Sequence, residues 1–260
     1  MKRMLLAFFV LAFVCGFAAA EGIGLEAGAE VGFNGVNAEG SFVSITPYAA
    51  YENSFGDIDV FAELDYTIAL EDEVDQTLYL EEEVGYNLGL SAASTLSFIV
   101  NNRNNIFVAP DFGSAVNKFD GFVEPSVKFN QAFDFGDIYA QLGFPIGYIS
   151  QIKDADISVD SYVLLGFGHG SGFGVELILG YGLSPEAGYG DTELLLFYEN
   201  DTIYGEVDIV ANSEFNGYTI TPEFDYKFNA FTFWANAEFA GIGSDTDVVI
   251  SPAIGVSYSF

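Results

Sequence analysis

The feature that most constrains this chain is an alternation of apolar and polar residues that dominates the sequence after residue 20. In 58–70 the even positions carry Ile, Val, Ala, Leu and Tyr, whereas the odd positions include Asp59, Glu63 and Asp65. Alternation with a period of two is typical of a β-strand whose two faces meet different surroundings, and no helical period competes with it here. The sequence therefore predicts an all-β fold.

Fourteen segments show this alternation, and most are long enough for a transmembrane strand of about 9–11 residues. They are 22–33, 41–51, 58–70, 77–90, 93–101, 121–134, 138–149, 157–168, 173–183, 191–199, 202–212, 217–228, 231–242 and 247–260. Because 93–101 and 191–199 are the weakest, twelve strands is the alternative to fourteen. Short connections alternate with longer ones along the chain, which is typical of a membrane barrel with turns at one end and loops at the other.

The lack of long apolar runs limits how this chain could cross a membrane. No run after residue 20 approaches the roughly 20 apolar residues of a transmembrane helix. Insertion into a membrane would therefore require strands closed into a barrel, because lipid cannot satisfy a free sheet edge. We predict a transmembrane up-and-down antiparallel β-barrel. A soluble, exported β-sandwich would also alternate, but the apolar face here carries a charge only at Glu82.

The N-terminus has the three parts of a secretory signal peptide. Lys2 and Arg3 precede the apolar stretch 4–14, and Ala18, Ala19 and Ala20 form a small-residue cleavage site. We therefore expect a signal peptide over 1–20 and a single transmembrane barrel over 21–260. A lipoprotein signal ending at Cys15 is the alternative, although a small residue is usual where Val14 stands. Cleavage after Ala20 would remove the one cysteine and with it any thiol chemistry.

The charge balance restricts the partners of the chain. There are 38 acidic and seven basic residues, for a formal net charge of −31, which excludes a nucleic-acid-binding surface on electrostatic grounds. Such a charge often accompanies disorder, but 27 Phe and 15 Tyr are too many for a disordered chain. The acidic and apolar residues must therefore be separated in space, and a barrel with a lipid-facing apolar wall and an acidic lumen separates them.

The last residues carry a second signal. Gly255, Tyr258 and Phe260 match the C-terminal pattern of a glycine followed by two aromatic residues, the second of them terminal. In this respect the chain resembles Gram-negative outer-membrane β-barrel proteins and is porin-like. The resemblance implies a place in the cell outer membrane. It also implies outer-membrane lipid and the barrel assembly machinery as partners, with Gly255, Tyr258 and Phe260 as the assembly signal.

The candidate sites for catalysis are weak, and we expect no enzyme, cofactor or metal. The only histidine, His169, lies in the predicted turn 169–172, where a histidine is usually solvated. Two carboxylates are enough for glycoside hydrolysis. However, acids are so frequent on the polar face that pairs at a suitable spacing arise by chance.

The acidic residues of the polar face are instead the candidate pore lining. They are Asp59, Glu63, Asp65, Glu81, Glu83, Glu206, Asp208, Glu223, Asp225 and Glu238. Symmetric hairpins would set Glu63 opposite Glu83, Asp65 opposite Glu81, and Glu206 opposite Glu223. Directly opposed like charges destabilise a sheet, so they indicate bulk water or bound cations beside them. The sequence thus predicts a pore for passive diffusion of cations and small polar solutes. The alternative is a structural or surface-binding barrel with a closed lumen.

Two features leave local alternatives open. The connection 102–120 carries Arg103 and Lys118; it would either fold inward as a constriction loop or, through 106–108, extend a strand. Five prolines fall inside predicted strands and are expected at bulges or strand ends. They are Pro47, Pro125, Pro145, Pro222 and Pro252.

Overall fold

The structure is a computed structural model that describes residues 24–37, 41–70, 76–108, 118–151, 154–185, 187–244 and 247–260. The predicted signal peptide, 1–20, lies outside these residues. The described residues form β-strands joined by turns and loops. Within the described part of the chain, no helix is long and apolar enough to cross a membrane.

The strands agree closely with the alternating segments of the sequence. They are β1 (Gly24–Asn34), β2 (Phe42–Phe55), β3 (Ile58–Leu70), β4 (Gln76–Ser91), β5 (Ser94–Val108), β6 (Lys118–Phe133), β7 (Gly136–Gly143), β8 (Ile146–Gln151), β9 (Asp154–His169), β10 (Phe173–Ser184), β11 (Gly188–Glu199), β12 (Ile203–Ala211), β13 (Tyr218–Phe228), β14 (Phe231–Ile242) and β15 (Val249–Ser259).

The strands form one closed antiparallel barrel. Strands consecutive in sequence pair with each other, except that β7 and β8 both pair with β6 and β9, and β1 pairs with both β2 and β15, with Glu26 opposite Ser259 at the seam. Closure thus pairs both sides of the sheet formed by the described residues, which is the condition for crossing lipid with strands. The predicted fold class is therefore confirmed. The sandwich alternative is wrong, because a sandwich would divide the strands between two sheets.

The barrel wall is fourteen strands wide although fifteen strands are counted. β7 and β8 occupy the same position between β6 and β9, and they keep a single register on each neighbour. Ser126 faces Gly143 and Val123 faces Ile146, so β7 and β8 fill one strand position of the barrel, which is interrupted at Phe144 and Pro145. The count of fourteen is thus confirmed against twelve, with one break.

The connections differ sharply between the two ends of the barrel. One end, called the turn end from here on, carries connections of two or three residues: 56–57, 92–93, 134–135, 170–172, 200–202 and 229–230. The other end, called the loop end, carries the longer connections 35–41, 71–75, 109–117, 212–217 and 243–248, with short ones at 152–153 and 185–187. Gly24 and Ser259 both lie at the turn end, as an even number of strand positions requires.

The prolines were expected at bulges or strand ends, and for four of the five this is wrong. Pro47, Pro125, Pro222 and Pro252 lie inside strands and pair with a residue of one neighbouring strand. On the other side each of them lies in a gap or at the end of a ladder; the β2–β3 pairing lacks the positions between Ile45 and Tyr48, and the β1–β15 pairing ends at Ala253. A strand residue offers its N–H to one neighbour only, so a proline costs one ladder bond.

The outer wall of the barrel is apolar, with aromatic side chains concentrated at the turn end. Leu64, in the middle of β3, is 37 % exposed, and large exposed apolar residues alternate with polar ones on nearly every strand. Aromatic rings contact one another along the turn end, as in the pairs Phe231–Tyr258 and Tyr258–Phe260 with centroids 5.0 and 4.7 Å apart. Such girdles are typical of barrels at a membrane–water boundary.

Candidate functional site

A cavity on the inner side of six strands adjoins the seam; it is called the larger cavity from here on, to distinguish it from a smaller one at the turn end. It has a volume of about 870 Å³, and its walls come from β13, β14, β15, β1, β2 and β3. Seven carboxylates line it: Glu26, Glu30, Glu52, Glu63, Asp65, Glu223 and Asp225. Its described lining residues include no lysine or arginine. Acidic side chains of distant sequence segments thus line one cavity.

Four of the ten predicted pore-lining residues line this cavity, namely Glu63, Asp65, Glu223 and Asp225. The other six share the inward face of their strands by alternation: Asp59, Glu81, Glu83, Glu206, Asp208 and Glu238. Asp59 lies at the turn end, where Ser54 and Asn87 donate hydrogen bonds to its carboxylate at 2.6 and 2.5 Å. That these ten residues line an open pore stays a prediction.

The predicted pairing of acids is correct in one hairpin and wrong in the other. Glu206 lies opposite Glu223, as expected. Glu63, however, lies opposite Glu81, and Asp65 lies opposite Tyr79. The reason is an off-centre connection: pairing with β4 ends at Ile68, whereas β3 continues to Leu70 along β2. A symmetric hairpin therefore misplaces the partner by two residues while keeping every side chain on its face.

Arg103 belongs to the wall and not to a loop. It lies in β5, pairs with Glu81 of β4, and donates a hydrogen bond from Nε to Oε1 of that glutamate at 2.8 Å. Its guanidinium carbon lies 5.4 Å from the centroid of the Phe122 ring on β6. Lys118 is the first residue of β6. Residues 102–108 are thus strand, which agrees with the extension alternative; 109–117, where a constriction would have to form, lie outside the described residues.

Tyrosine hydroxyls hold several of the inward glutamates against the wall. Donors and acceptors pair as Tyr79 with Glu81, Tyr162 with Glu124 and Tyr139 with Glu176, each at 2.5 Å, Tyr48 with Glu26 at 3.2 Å, and Tyr204 with Glu206. The bonds run within a strand or between strands that are one or two positions apart in the wall. A charge-assisted hydrogen bond fixes the carboxylate that accepts it. These carboxylates are therefore held in fixed positions on the inner wall.

Glycines on the inner face make room for aromatic rings. A Cβ placed on Gly28 would lie 2.5 Å from Cζ of Tyr48, and one on Gly255 would lie 2.2 Å from Cε2 of Trp234. Each ring therefore lies directly over a glycine of the adjacent strand, with one face against the wall. Because Tyr48 and Trp234 also line the larger cavity, their free faces border it.

A second cavity of about 610 Å³ lies at the turn end on the far side of the barrel. It is lined by Asp137, Tyr139, Phe197 and Lys227, and by the glycine-rich connection after β9. His169, whose Nδ1 lies 2.7 Å from Oγ of Ser171, borders it. Among the described residues, no group of three or more Asp, Glu, His or Cys side chains is arranged to hold a metal ion.

The residues of the predicted assembly signal lie on the last strand, next to the seam. Tyr258 and Phe260 are on the outer wall, and the Phe260 N–H donates a hydrogen bond to the carbonyl oxygen of Leu25 at 3.0 Å. Gly255 faces inward beneath Trp234 and is therefore also a packing position. The role of the three residues in assembly stays a prediction.

Several residues that shape the larger cavity were not predicted as site residues. Glu26 and Glu30 stand on the polar face of β1, and the alternation itself would have found them. Tyr48 and Trp234 could not be found in that way, because alternation gives their face but not the glycine across the strand pair. That information lies in the register between β1 and β2 and between β14 and β15.

Comparison with known proteins identifies the fold. No protein-family model matches the sequence, and no curated protein matches it. Among solved structures, a mutant of the monoaromatic hydrocarbon channel TodX is 9 % identical, with a TM-score of 0.52; the match covers 93 % of this chain and 91 % of that one. CdiB from Acinetobacter baumannii is 8 % identical, with a TM-score of 0.51 over 93 % of this chain, which spans only 60 % of CdiB.

A triple mutant of the Rhodopseudomonas blastica porin is also similar, at 11 % identity and a TM-score of 0.44, covering 92 % of this chain and all of that one. The likeness to TodX and CdiB lies in the arrangement of the strands and not in shared residues. The chain thus shares its closed β-barrel fold with TodX and CdiB, in agreement with the resemblance of its C-terminal residues.

Proposed function

We propose that this protein is an outer-membrane pore for the passive diffusion of cations and small polar solutes through an acidic lumen. The observation that carries the proposal is the larger cavity, where seven carboxylates meet without a lysine or arginine among the described lining residues. A space of one charge sign within low-dielectric walls concentrates ions of the opposite sign. Cations are therefore the solutes that this interior favours.

The cross-strand pairs support the same conclusion. Glu63 faces Glu81, and Glu206 faces Glu223, on the inner side of the wall. Like charges at opposed positions destabilise a sheet unless water or cations screen them. Arg103 offsets the charge of Glu81, whereas the other three have no lysine or arginine salt bridge among the described residues. A hydrated, cation-containing lumen accounts for their stability.

The outer wall supports the membrane location. It exposes large apolar side chains along its height and carries contacting aromatic rings at the turn end. We infer that the turn end faces the periplasm, because short turns lie on that side in bacterial outer-membrane barrels. Lipid of the outer membrane then covers the apolar wall, and the assembly machinery would recognise the last strand.

The width of the barrel allows either an open or a closed lumen. A barrel of eight strands leaves a space that side chains fill, and a barrel of sixteen or more leaves an aqueous channel. Fourteen strand positions lie between these values. TodX is a hydrocarbon channel, but the carboxylates of the present cavity favour charged or hydrated solutes. A closed barrel with a structural or surface-binding role is the alternative, and it predicts no conductance.

Recordings from the purified protein in planar lipid bilayers test the proposal. In a KCl gradient, joint replacement of the four predicted residues of the cavity by amides (Glu63→Gln, Asp65→Asn, Glu223→Gln and Asp225→Asn) should move the reversal potential toward zero. The outward-facing Leu177→Val serves as a control and should leave the potential unchanged. Absence of conductance at every voltage would replace the pore by the closed barrel. Conductance whose selectivity the four amides do not alter would show that the path avoids this cavity.

A further inference from the structure

The larger cavity combines carboxylates with aromatic side chains. Its acidic wall is bordered by the free faces of Tyr48 and Trp234 and by Phe61. The two rings over glycines are fixed in orientation, since each fills the space that a side chain on Gly28 or Gly255 would occupy. The cavity therefore presents aromatic faces, and not only ring edges, to whatever enters it.

The carboxylates stand on both sides of these rings. Glu223 and Asp225 are on β13, one strand from Trp234 on β14, with Asp225 directly opposite Trp234. Glu63 and Asp65 are on β3, one strand from Tyr48 on β2, with Asp65 directly opposite Tyr48. Each ring thus has an aspartate as its cross-strand neighbour. The same combination of an aromatic face and an adjacent carboxylate occurs twice, on opposite sides of the seam.

The seam itself contributes a buried hydroxyl. Ser257 of β15 lines the cavity between the two arrangements and is only 2 % exposed. Its side chain hydrogen-bonds with Tyr48, and the carboxylate of Asp65 hydrogen-bonds with that of Glu63. Oδ1 of Asp225 has no hydrogen-bond partner among the described residues. Buried polar atoms are nearly always hydrogen-bonded in proteins, so the Asp225 carboxylate beside Trp234 keeps an oxygen that no described residue occupies.

The chemistry of the wall selects the class of ligand that the cavity would hold. Calcium and magnesium ions take shells of oxygen ligands at short distances, and an aromatic face adds nothing to such a shell. An ammonium group, in contrast, is attracted by the face of an indole or phenol and by a carboxylate beside it. A volume of about 870 Å³ also falls within the range of small-molecule sites, roughly 300–1,000 Å³.

We propose that the larger cavity is a binding site for organic ammonium ions, formed by the Tyr48–Asp65 and Trp234–Asp225 pairs across the seam. This inference names a solute class for the pore and in that respect rests on the proposed function. A cation that pauses here exchanges its water for aromatic faces while the carboxylates neutralise its charge. The site thus distinguishes organic ammonium ions from inorganic cations of the same charge.

The single tryptophan makes this site directly observable. Trp234 is the only tryptophan of the chain and lines the cavity, so its fluorescence reports on the site without interference. The folded barrel in detergent at low ionic strength would be titrated with choline, which carries a quaternary ammonium. Its neutral isostere 3,3-dimethylbutan-1-ol is the matched control ligand. Choline should change the emission saturably, and the isostere should not.

Variants separate the two contributions to binding. Asp225→Asn removes the carboxylate beside Trp234, and Tyr48→Leu removes the second aromatic face. Each should weaken choline binding by about two- to thirtyfold, the factor that corresponds to one cation–π or charge contact. Tyr48→Phe keeps the ring and should bind choline more tightly than Tyr48→Leu does, which separates the loss of the aromatic face from damage to the fold. Glu214→Gln removes an acid from the connection 212–217, away from the cavity, and should have no effect.

The outcomes separate this inference from the proposed function. A barrel that conducts cations but shows no saturable response to choline, or the same response to the neutral isostere, would overturn the inference and leave the pore intact. Equal affinity of the wild type, Asp225→Asn and Tyr48→Leu would also overturn it. A barrel without conductance that binds choline with the expected order of variants would retain the site and reject the pore.

Discussion

At the scale of single residues, the environment of each side chain is determined by the side of the strand on which it lies. Neighbouring residues such as Glu63 and Leu64 meet a charged cavity and an apolar exterior, respectively. The energetic consequences of one substitution should therefore differ sharply between adjacent positions. The alternation of the sequence contained this information completely, because it depends only on the period of a strand.

The prediction at this scale concerns adjacent arginine substitutions in β3. Leu64→Arg places a charge at the middle of the lipid-facing wall and should lower the free energy of unfolding by about 2–4 kcal/mol. Glu63→Arg removes one of two opposed carboxylates, Glu63 and Glu81, and should cost no more than about 0.5 kcal/mol. Unfolding by urea in phospholipid vesicles measures both. Equal losses would contradict the assignment of faces.

A second residue-scale prediction concerns the glycines beneath aromatic rings. A Cβ on Gly166 would lie 2.0 Å from the Tyr139 ring, whereas a Cβ on Gly85, also inward-facing in a strand, would have 3.9 Å to its nearest atoms. Gly166→Ala should therefore destabilise the barrel by about 1–3 kcal/mol through overpacking. Gly85→Ala should be neutral or stabilise by up to about 1 kcal/mol. The same urea titration compares them, and a reversed order would show that the rings do not need the glycines.

At the scale of strands and connections, the sequence predicted the existence of the elements but not all of their details. All fourteen alternating segments are strands of the wall, because each keeps an apolar face toward the outside of the barrel. The pairing of Glu63 with Glu81 was not predicted, whereas the break at Pro145 agrees with the expectation of a bulge or strand end there. Register depends on where a connection turns, and the apolar pattern fixes it only to within two residues.

The prediction for an element concerns the last strand, β15. Phe260 stands at its end, packs on Tyr258 with centroids 4.7 Å apart and bonds through its N–H to β1. Its deletion should impair assembly and closure while leaving export intact. The measurement is the fraction of protein in the outer membrane that changes its gel migration on boiling. Normal assembly of the truncated chain would mean that the C-terminal residues carry no signal here.

At the scale of the whole molecule, closure at the seam creates the larger cavity, which no single segment could form. β1 to β3 and β13 to β15 lie at opposite ends of the sequence, and pairing of β1 with β15 brings their carboxylates and rings around one cavity. The acidic character of the inner face was predictable residue by residue. The cavity was not, because its shape depends on which strands adjoin and on the glycines that let Tyr48 and Trp234 lie flat.

The central claim, that this barrel is an open pore with an acidic lumen, is tested most directly by the reversal potential of the wild-type protein in a planar bilayer under a KCl gradient. The account predicts a potential that shows preference for K⁺ over Cl⁻. That preference should decline as the total salt rises, because the screening length falls from roughly 10 Å at 0.1 M to roughly 3 Å at 1 M. A preference for Cl⁻, or no current at any voltage, would contradict the account.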